Sequence, residues 1–382
     1  MLQFLRRFTG LHWLLLGLTL GLFGFGVLAI ESAARHLPGG GALFAGKQLI
    51  FGVLGLAAMG GMALLNYHWI RRFAWPIYGV SIILLVLVSF VGESVGGSKS
   101  AFSLGPLRFQ PSQLAIAAGI LVIPVMIEKL RSLDGWKSHA LTQMAAIAAI
   151  CAIPLALVIF QGDMGSALVW LPVALVTMLV AGIPLRYLSL SLLVGALMAP
   201  WLYFFVLPKV SERGAERIEL YVDLILGRDI DIHGSGHAPY YVTLAVGKSG
   251  MNGAGWHAEE GSLHAKRFIP WKTAHNDYIF AVIAEEQGYR GTMLLVLGFT
   301  AMLLGILHIA IMSRDFLGRM ICAGVLALLF AHFFENVGMC IGLTPITGIP
   351  LPLISYGGTF LLICLALIGV VQSVWTGRDE VS

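Results

Sequence analysis

Four acidic groups sit against long apolar runs in this chain. They are Asp163 in Gln161-Gly-Asp-Met-Gly-Ser-Ala, Asp277 in Ala274-His-Asn-Asp-Tyr-Ile-Phe, the pair Glu285 and Glu286 just beyond it, and Glu335 in His332-Phe-Phe-Glu-Asn. A carboxylate near the centre of a bilayer costs about 2.5–3.5 kcal/mol on insertion scales, so each needs a structural or chemical reason to be there. Asp277 is the strongest candidate for chemistry, because His275 and the apolar run Tyr278–Ile283 bracket it. A partly dry setting raises a carboxylate's proton affinity and suits it to general-base work. The competing explanation is a helix N-cap, for which Asn and Asp are preferred residues. Composition alone favours that cap over catalysis. His332 and Glu335 stand at i and i+3, and Asn336 and Met339 continue the same helical face. A neutralised pair buried between helices is the simpler account of those two.

The elements that must position these groups are membrane helices. Of 382 residues, 58% are apolar and only 12% are charged, about half the roughly 25% charge of a soluble domain. That excludes a cytosolic enzyme and a disordered scaffold, and a net charge of +4 is too small a bias for a nucleic-acid binder. Spanning a bilayer takes about 20 apolar residues. Ten segments qualify: 11–31, 46–65, 74–92, 111–127, 141–160, 165–182, 187–207, 289–312, 318–341 and 356–375. The break at Gln161–Gly165 could divide two helices or interrupt one. Arg6 and Arg7 precede the first segment as in a signal peptide, but its apolar stretch is too long for one, so it reads as an uncleaved helix. Cys151, Cys322, Cys340 and Cys364 all lie in apolar runs without metal or disulfide spacing, and read as core residues.

Basic residues favour cytoplasmic loops. With the N-terminus inside, eleven Lys and Arg fall on the inner side and four (Arg35, Lys47, Lys99, Arg108) in short outer loops. The expected fold is therefore an all-α polytopic membrane protein of ten transmembrane helices, with both termini cytoplasmic. Its one long extracytoplasmic loop covers 208–288. Within that loop, Ile218, Tyr221, Val222 and Ile225 recur at helical spacing after Ser211, which predicts a helix lying in the outer interface or packed on the bundle. The glycine-rich stretch Gly247–Gly255 resembles a phosphate loop only superficially, because no strand precedes it and no Lys-Ser/Thr ends it. Near the C-terminus, 342–358 carries three prolines and four glycines in an apolar setting. Irregular backbone at membrane depth must be buried by protein or line a cavity, as in transporters. Residue chemistry alone leaves a transporter and an enzyme acting at the outer face equally open.

Motifs narrow the choice. Asn336-Val-Gly-Met followed by Thr344-Pro-Ile-Thr-Gly-Ile-Pro-Leu-Pro-Leu-Ile-Ser-Tyr-Gly-Gly resembles the signature of the RodA/FtsW (SEDS) family of bacterial cell-wall proteins. Phe109-Gln-Pro-Ser, Gln161-Gly-Asp-Met-Gly-Ser-Ala, Glu216-Arg217-Ile218, Ala245-Val-Gly and His275-Asn-Asp-Tyr-Ile-Phe-Ala-Val-Ile-Ala-Glu-Glu extend the resemblance over nearly the whole chain. Short tails make it more similar to RodA. The resemblance implies a single SEDS-like membrane domain over 1–382 in the bacterial cytoplasmic membrane. It implies a peptidoglycan glycosyltransferase that polymerises lipid II in cell-wall elongation, working with a class B penicillin-binding protein and other elongation-complex membrane proteins. It places Asp277 on the family's proposed catalytic aspartate, against the cap that composition favours. Asp163, His275, Ser355 and Tyr356 are the accompanying substrate-binding candidates. Extending a glycan needs a hydroxyl to lose its proton while a diphosphate departs, so Lys248, Lys266, Arg267, Lys272 or a divalent cation (Mg or Mn) are candidates to stabilise the leaving group.

The chain also departs from the family pattern. The usual Glu and Lys of the fourth helix are Gln113 and Ile116, the usual Arg-Trp is Ser100-Ala101 beside Lys99, the usual proline of Gln-Pro-Asp is Gly162, and a usual Gln is Ala238. Losing both members of a charge pair is coherent, since losing one strands a buried charge at about 3–5 kcal/mol. His332 and Glu335 are expected to supply a polar contact in the space the pair vacates. A precursor flippase and an inactive paralogue that scaffolds a transpeptidase are the alternatives.

Overall fold

The computed structural model describes residues 7, 9–95, 98–104, 107–201, 208 and 212–378, and is 74% helical. Eight helices are long and apolar enough to cross a membrane. They are α1 Trp13–Ala33, α2 Gly40–Leu64, α3 Ile70–Val91, α4 Pro111–Arg131, α5 Ala140–Phe160, then α10 Ile279–Met312, α11 Phe316–Cys340 and α12 Gly358–Gly377. Two shorter apolar helices, α6 Met164–Val180 and α7 Leu185–Trp201, complete the set that the apolar segments predict. The chain is thus a multi-pass membrane protein. Arg6, Ser211 and the side chain of Lys99 lie outside the described residues.

Burial separates centre from rim. About seven-tenths of the apolar window is buried in α4, α11 and α12, against four-tenths or less in the other long helices. These three form the middle of the bundle. The remaining helices keep Leu, Val and Ile turned outward, as a lipid-facing surface requires. Close approach at the centre depends on small residues, and the Trp170 ring lies over Gly119, where a methyl group would stand 2.7 Å from it.

Alternate connections meet at opposite ends of the bundle. At one end Tyr67 Oη donates to Asp315 Oδ1 at 2.7 Å, Arg71 forks onto Glu128 at 2.8 and 2.9 Å, and His12 N donates to Gln372 Oε1 at 2.8 Å. At the other end lie the loops that carry the acidic candidates. There, a small antiparallel sheet of β1 Glu93–Val95, β2 Ser98–Leu104 and β3 Leu107–Phe109 joins α3 to α4. The sequence reading left that sheet out, because its strands are only three to seven residues long.

Three expected boundaries are present in the structure. The break at Gln161–Asp163 separates two helices, turning on Gly162 at φ +77. The expected start of the eighth span at 289 holds: Gly288 (φ +65) leaves the helical region and divides α10 into a short helix over 279–287 and the spanning helix that follows. The helix predicted after Ser211 runs as α8 over Glu212–Ile225, and Ile225 and Val222 remain exposed while Tyr221 Oη donates to the Leu343 carbonyl. It therefore touches the 342–357 loop yet keeps an apolar face exposed.

The glycine-rich stretch has a structural task. It follows the helix α9 His237–Lys248 and splices into the Gly288 kink: Ala254 N donates to Glu285 O, Gly255 N to Glu286 O and Tyr289 N to Gly250 O, at 2.8–2.9 Å. A methyl on Gly253 would stand 2.4 Å from Glu286 O, and one on Gly288 would stand 2.3 Å from Gly253 N. Both positions have positive φ, so only glycine fits. Glu285 holds the same loop by accepting from Ser262 Oγ and from the amides of Leu263 and His264. Glu286 accepts from Ser32 Oγ. These two acids are spent on architecture.

Candidate active site

Asp277 does not cap a helix. Tyr278 holds the N-cap position of α10 and no side chain caps it. The capping role that composition suggested for Asp277 belongs to Asp163, whose Oδ1 accepts from Ser166 N at 3.1 Å at the start of α6. Asp163 Oδ2 accepts from Gln110 Nε2 at 2.7 Å and Ser112 Oγ at 3.3 Å. Asp163 is thereby fixed, while the Asp277 carboxylate is left for other work.

The backbone that carries Asp277 is clasped on three successive carbonyls. Tyr356 N donates to His275 O at 3.0 Å, Ser355 Oγ to Asn276 O at 2.6 Å, and Asn336 Nδ2 to Asp277 O at 2.9 Å. Asn336 Nδ2 also donates to Ile349 O at 2.8 Å, and Ser355 Oγ accepts from Leu351 N at 2.8 Å. Gln48 on α2 reaches in as well, donating to Ser355 O and accepting from Gly357 N. The broken proline-rich loop is therefore the cradle of the Asp277 segment, which explains irregular backbone at this depth.

Electrostatics in the cradle suit a base. Asp277 is half-buried, and its carboxyl is pushed up from 3.8 to about 7 by burial first, with the Arg217 guanidinium opposing and the Asp163 charge reinforcing the rise. A base whose pKa lies near the operating pH is close to the optimum for proton transfer. Arg217 lies on α8 and its Nη1 donates to Thr347 O at 3.3 Å. Gly348, at φ +74, has no side chain between Arg217 and Asp277: a methyl there would stand 3.5 Å from Asp277 Oδ2 and 3.9 Å from Arg217 Nη1.

Beside this pocket His275, Phe44 and Tyr356 form an aromatic cluster with ring centroids 5.1–5.3 Å apart, Phe44 meeting the other two edge-on. Burial, helped by Arg108, pulls the His275 imidazole down to about 4, so it stays neutral and serves as an aromatic wall. Lys47 lies 5.6 Å from the Phe44 ring centre, and the exposed Arg108 has its carbonyl tied by Thr359 Oγ1 at 2.6 Å.

The other candidates sit elsewhere. Gln113 is buried on α4 and donates to Ser166 Oγ at 3.3 Å, next to the Asp163 cap, and Ile116 is wholly buried in the apolar core. No stranded charge marks the missing Glu and Lys. His332 Nδ1 pairs with Pro350 O at 3.3 Å and its ring stacks on Phe360 at 4.4 Å, while the Glu335 carbonyl accepts from Thr344 Oγ1 at 3.3 Å. These two residues thus meet the last outer loop, and Gln113 meets α6. Lys272 and Arg267 each rest 5.5 Å from the centre of the Trp271 ring, and Lys248 and Lys266 are exposed. The cation beside Asp277 is Arg217, which sequence reasoning noted only within the Glu216-Arg217-Ile218 match. Among the described residues no three His, Cys, Asp or Glu side chains converge as a metal site.

Comparison with known proteins gives a consistent picture. The family model described as "Cell cycle protein", which covers FtsW, RodA and SpoVE, matches residues 11–380. The peptidoglycan glycosyltransferase MrdB of Escherichia coli K12 is 31% identical over 330 residues, covering 86% of this chain and 85% of that protein. The peptidoglycan glycosyltransferase RodA of Treponema pallidum is 28% identical, covering 97% and 98% of the two chains. A solved structure described as structural coordination of polymerization and crosslinking by a peptidoglycan synthase complex superposes with a TM-score of 0.80 at 27% identity, covering 97% of this chain and 99% of its own. The crystal structure of the rod shape determining protein RodA of Thermus thermophilus superposes with a TM-score of 0.68 at 26% identity, covering 96% and 97%.

Proposed function

The chain belongs to the FtsW, RodA and SpoVE family, and on that premise we propose that it is a peptidoglycan glycosyltransferase that polymerises lipid II into glycan strands. The observation that carries the residue-level reading is the Asp277 carboxylate, uncapped, half-buried and titrating near 7 between Arg217 and Asp163. In the reaction a sugar hydroxyl attacks the anomeric carbon of a lipid-linked sugar. The new glycosidic bond forms as the bond to the undecaprenyl diphosphate breaks. Asp277 takes the hydroxyl proton, and the departing diphosphate carries away the electron pair. Arg108 and Lys47 line the approach to the aromatic wall and are suited to the leaving diphosphate by charge.

A divalent cation fits here only as a partner of the diphosphate. No three His, Cys, Asp or Glu side chains among the described residues would hold it alone, and magnesium is commonly held by one or two carboxylates plus substrate phosphates. The ten apolar helices, with eleven basic residues on one side and four in the short loops of the other, support both termini in the cytoplasm and the Asp277 end outside. In that setting the chain forms one SEDS-like domain in the bacterial cytoplasmic membrane, and the long loop over 208–288 is extracytoplasmic. A class B penicillin-binding protein is the proposed partner, acting in wall elongation and cell shape.

Purified protein in vesicles, with and without the transpeptidase, separates this function from its alternatives. Lipid II presented on the active side should become long glycan resolved by size. Movement of labelled lipid II across the vesicle without polymer would indicate a flippase. Neither product, with the partner still bound, would indicate a scaffold.

A further inference from the structure

Resting on the polymerase reading, we propose that the gap over Gly348, between the Asp277 carboxylate and the Arg217 guanidinium, is the acceptor-hydroxyl subsite, with Arg217 as an acceptor-binding residue. Both groups approach one point, 3.5 Å and 3.9 Å from where a side chain on residue 348 would begin. That point is empty because the residue is glycine. The Thr347 carbonyl holds the guanidinium in place through Nη1, which leaves its remaining N–H groups to point elsewhere.

The chemistry of the gap selects its occupant. A phosphate oxygen there would meet the Asp277 carboxylate, a like charge within contact distance. An ammonium group would meet Arg217 in the same way. A neutral hydroxyl suits both walls at once, donating its proton to the carboxylate and accepting from the guanidinium. That arrangement also aims the hydroxyl's proton at the base before attack. The diphosphate of the donor is then directed away from Asp277, toward Lys47 and Arg108 beside the aromatic wall. The groups that face Asp277 are Arg217 from α8, Asp163 from the start of α6, Tyr278 beside it in the chain and the Cys340 thiol of α11. Burial pushes the Tyr278 hydroxyl further up, so it stays neutral, and the cap bonds hold Asp163 in place.

Three variants of the full chain, bound to its transpeptidase and given lipid II, test the subsite. Gly348→Ala should lower the polymerisation rate about a hundredfold, the cost of displacing a reacting group by about 1 Å. Arg217→Gln should move the acid limb of the pH–rate profile to higher pH, since that charge opposes the rise in Asp277 proton affinity. Arg217→Lys keeps the charge, so the limb should stay in place while the rate on the plateau falls. Wild-type rates in folded Gly348→Ala, or an acid limb unmoved in Arg217→Gln, would overturn the proposal. If Gly348→Ala does not fold, because of its positive φ, the two Arg217 variants decide the matter. Asp277→Asn run alongside keeps the two readings apart. An active Asp277→Asn sinks the general base itself, whereas an inactive one with normal Gly348 and Arg217 variants sinks only the subsite.

Discussion

Replacing Asn336 with leucine should disable polymerisation without touching any group that meets substrate. The side chain is fully buried, and its Nδ2 donates to Asp277 O at 2.9 Å and Ile349 O at 2.8 Å. Leucine has a similar size and no donor, so both carbonyls lose their partner. A buried unsatisfied polar group costs about 1–3 kcal/mol, giving about 2–6 kcal/mol for the pair. Much of that cost can be relieved if the Asp277 end of the segment swings away, because Tyr356 N and Ser355 Oγ still hold His275 and Asn276. A displacement of about 1 Å costs about a hundredfold in rate. Asn336→Leu should therefore melt lower than wild type in detergent, bind labelled lipid II normally and polymerise about a hundredfold more slowly. Wild-type polymerisation by Asn336→Leu would refute the reasoning, because Asp277 would then be positioned by something other than this clasp.

Four further outcomes follow from the geometry. Polymerisation should fall below about pH 7, as Asp277 takes up the proton that its raised pKa of about 7 favours, and a pH–rate profile on folded enzyme reads this directly. The same raised pKa works against stability. The contribution of the protonated group is complete below its ordinary value of 3.8 and is lost as pH rises through about 7, so Asp277→Asn should melt higher than wild type at pH 8 and no higher at pH 4. Gly288→Ala, forced to a positive φ with its methyl 2.3 Å from Gly253 N, should destabilise by at least about 2 kcal/mol in thermal unfolding. By contrast, Tyr67→Phe, which removes the 2.7 Å bond to Asp315 at the opposite end of the bundle, should cost about 1–2 kcal/mol of stability and leave the polymerisation rate unchanged.

Helices and site differ in how legible they were. Spans are readable because a bilayer demands about twenty apolar residues whatever the tertiary structure, and each expected segment corresponds to an apolar helix. The short helix over 279–287 is hidden because its turns end in Glu285 and Glu286, which look like the border of a span. The bonds they accept from the 262–264 turn and Ser32 are a long-range pairing that no local pattern encodes. Likewise the glycines of 250–255 looked like a loop and proved to be the complement of a kink nearly forty residues away. Asp277 was legible as an isolated acid among apolar neighbours. Whether it or Asp163 capped a helix depended on where each helix began, within a residue or two, which is the least readable feature of a sequence. Arg217 was legible only through a motif match, since its place beside Asp277 depends on α8 folding back against Thr347.

The most direct test of the central claim compares wild type with Asp277→Asn at pH 8, each bound to a transpeptidase and given labelled lipid II. The account predicts equal binding of lipid II, long glycan from wild type and none from Asp277→Asn. Glycan of equal length and rate from both proteins would contradict it.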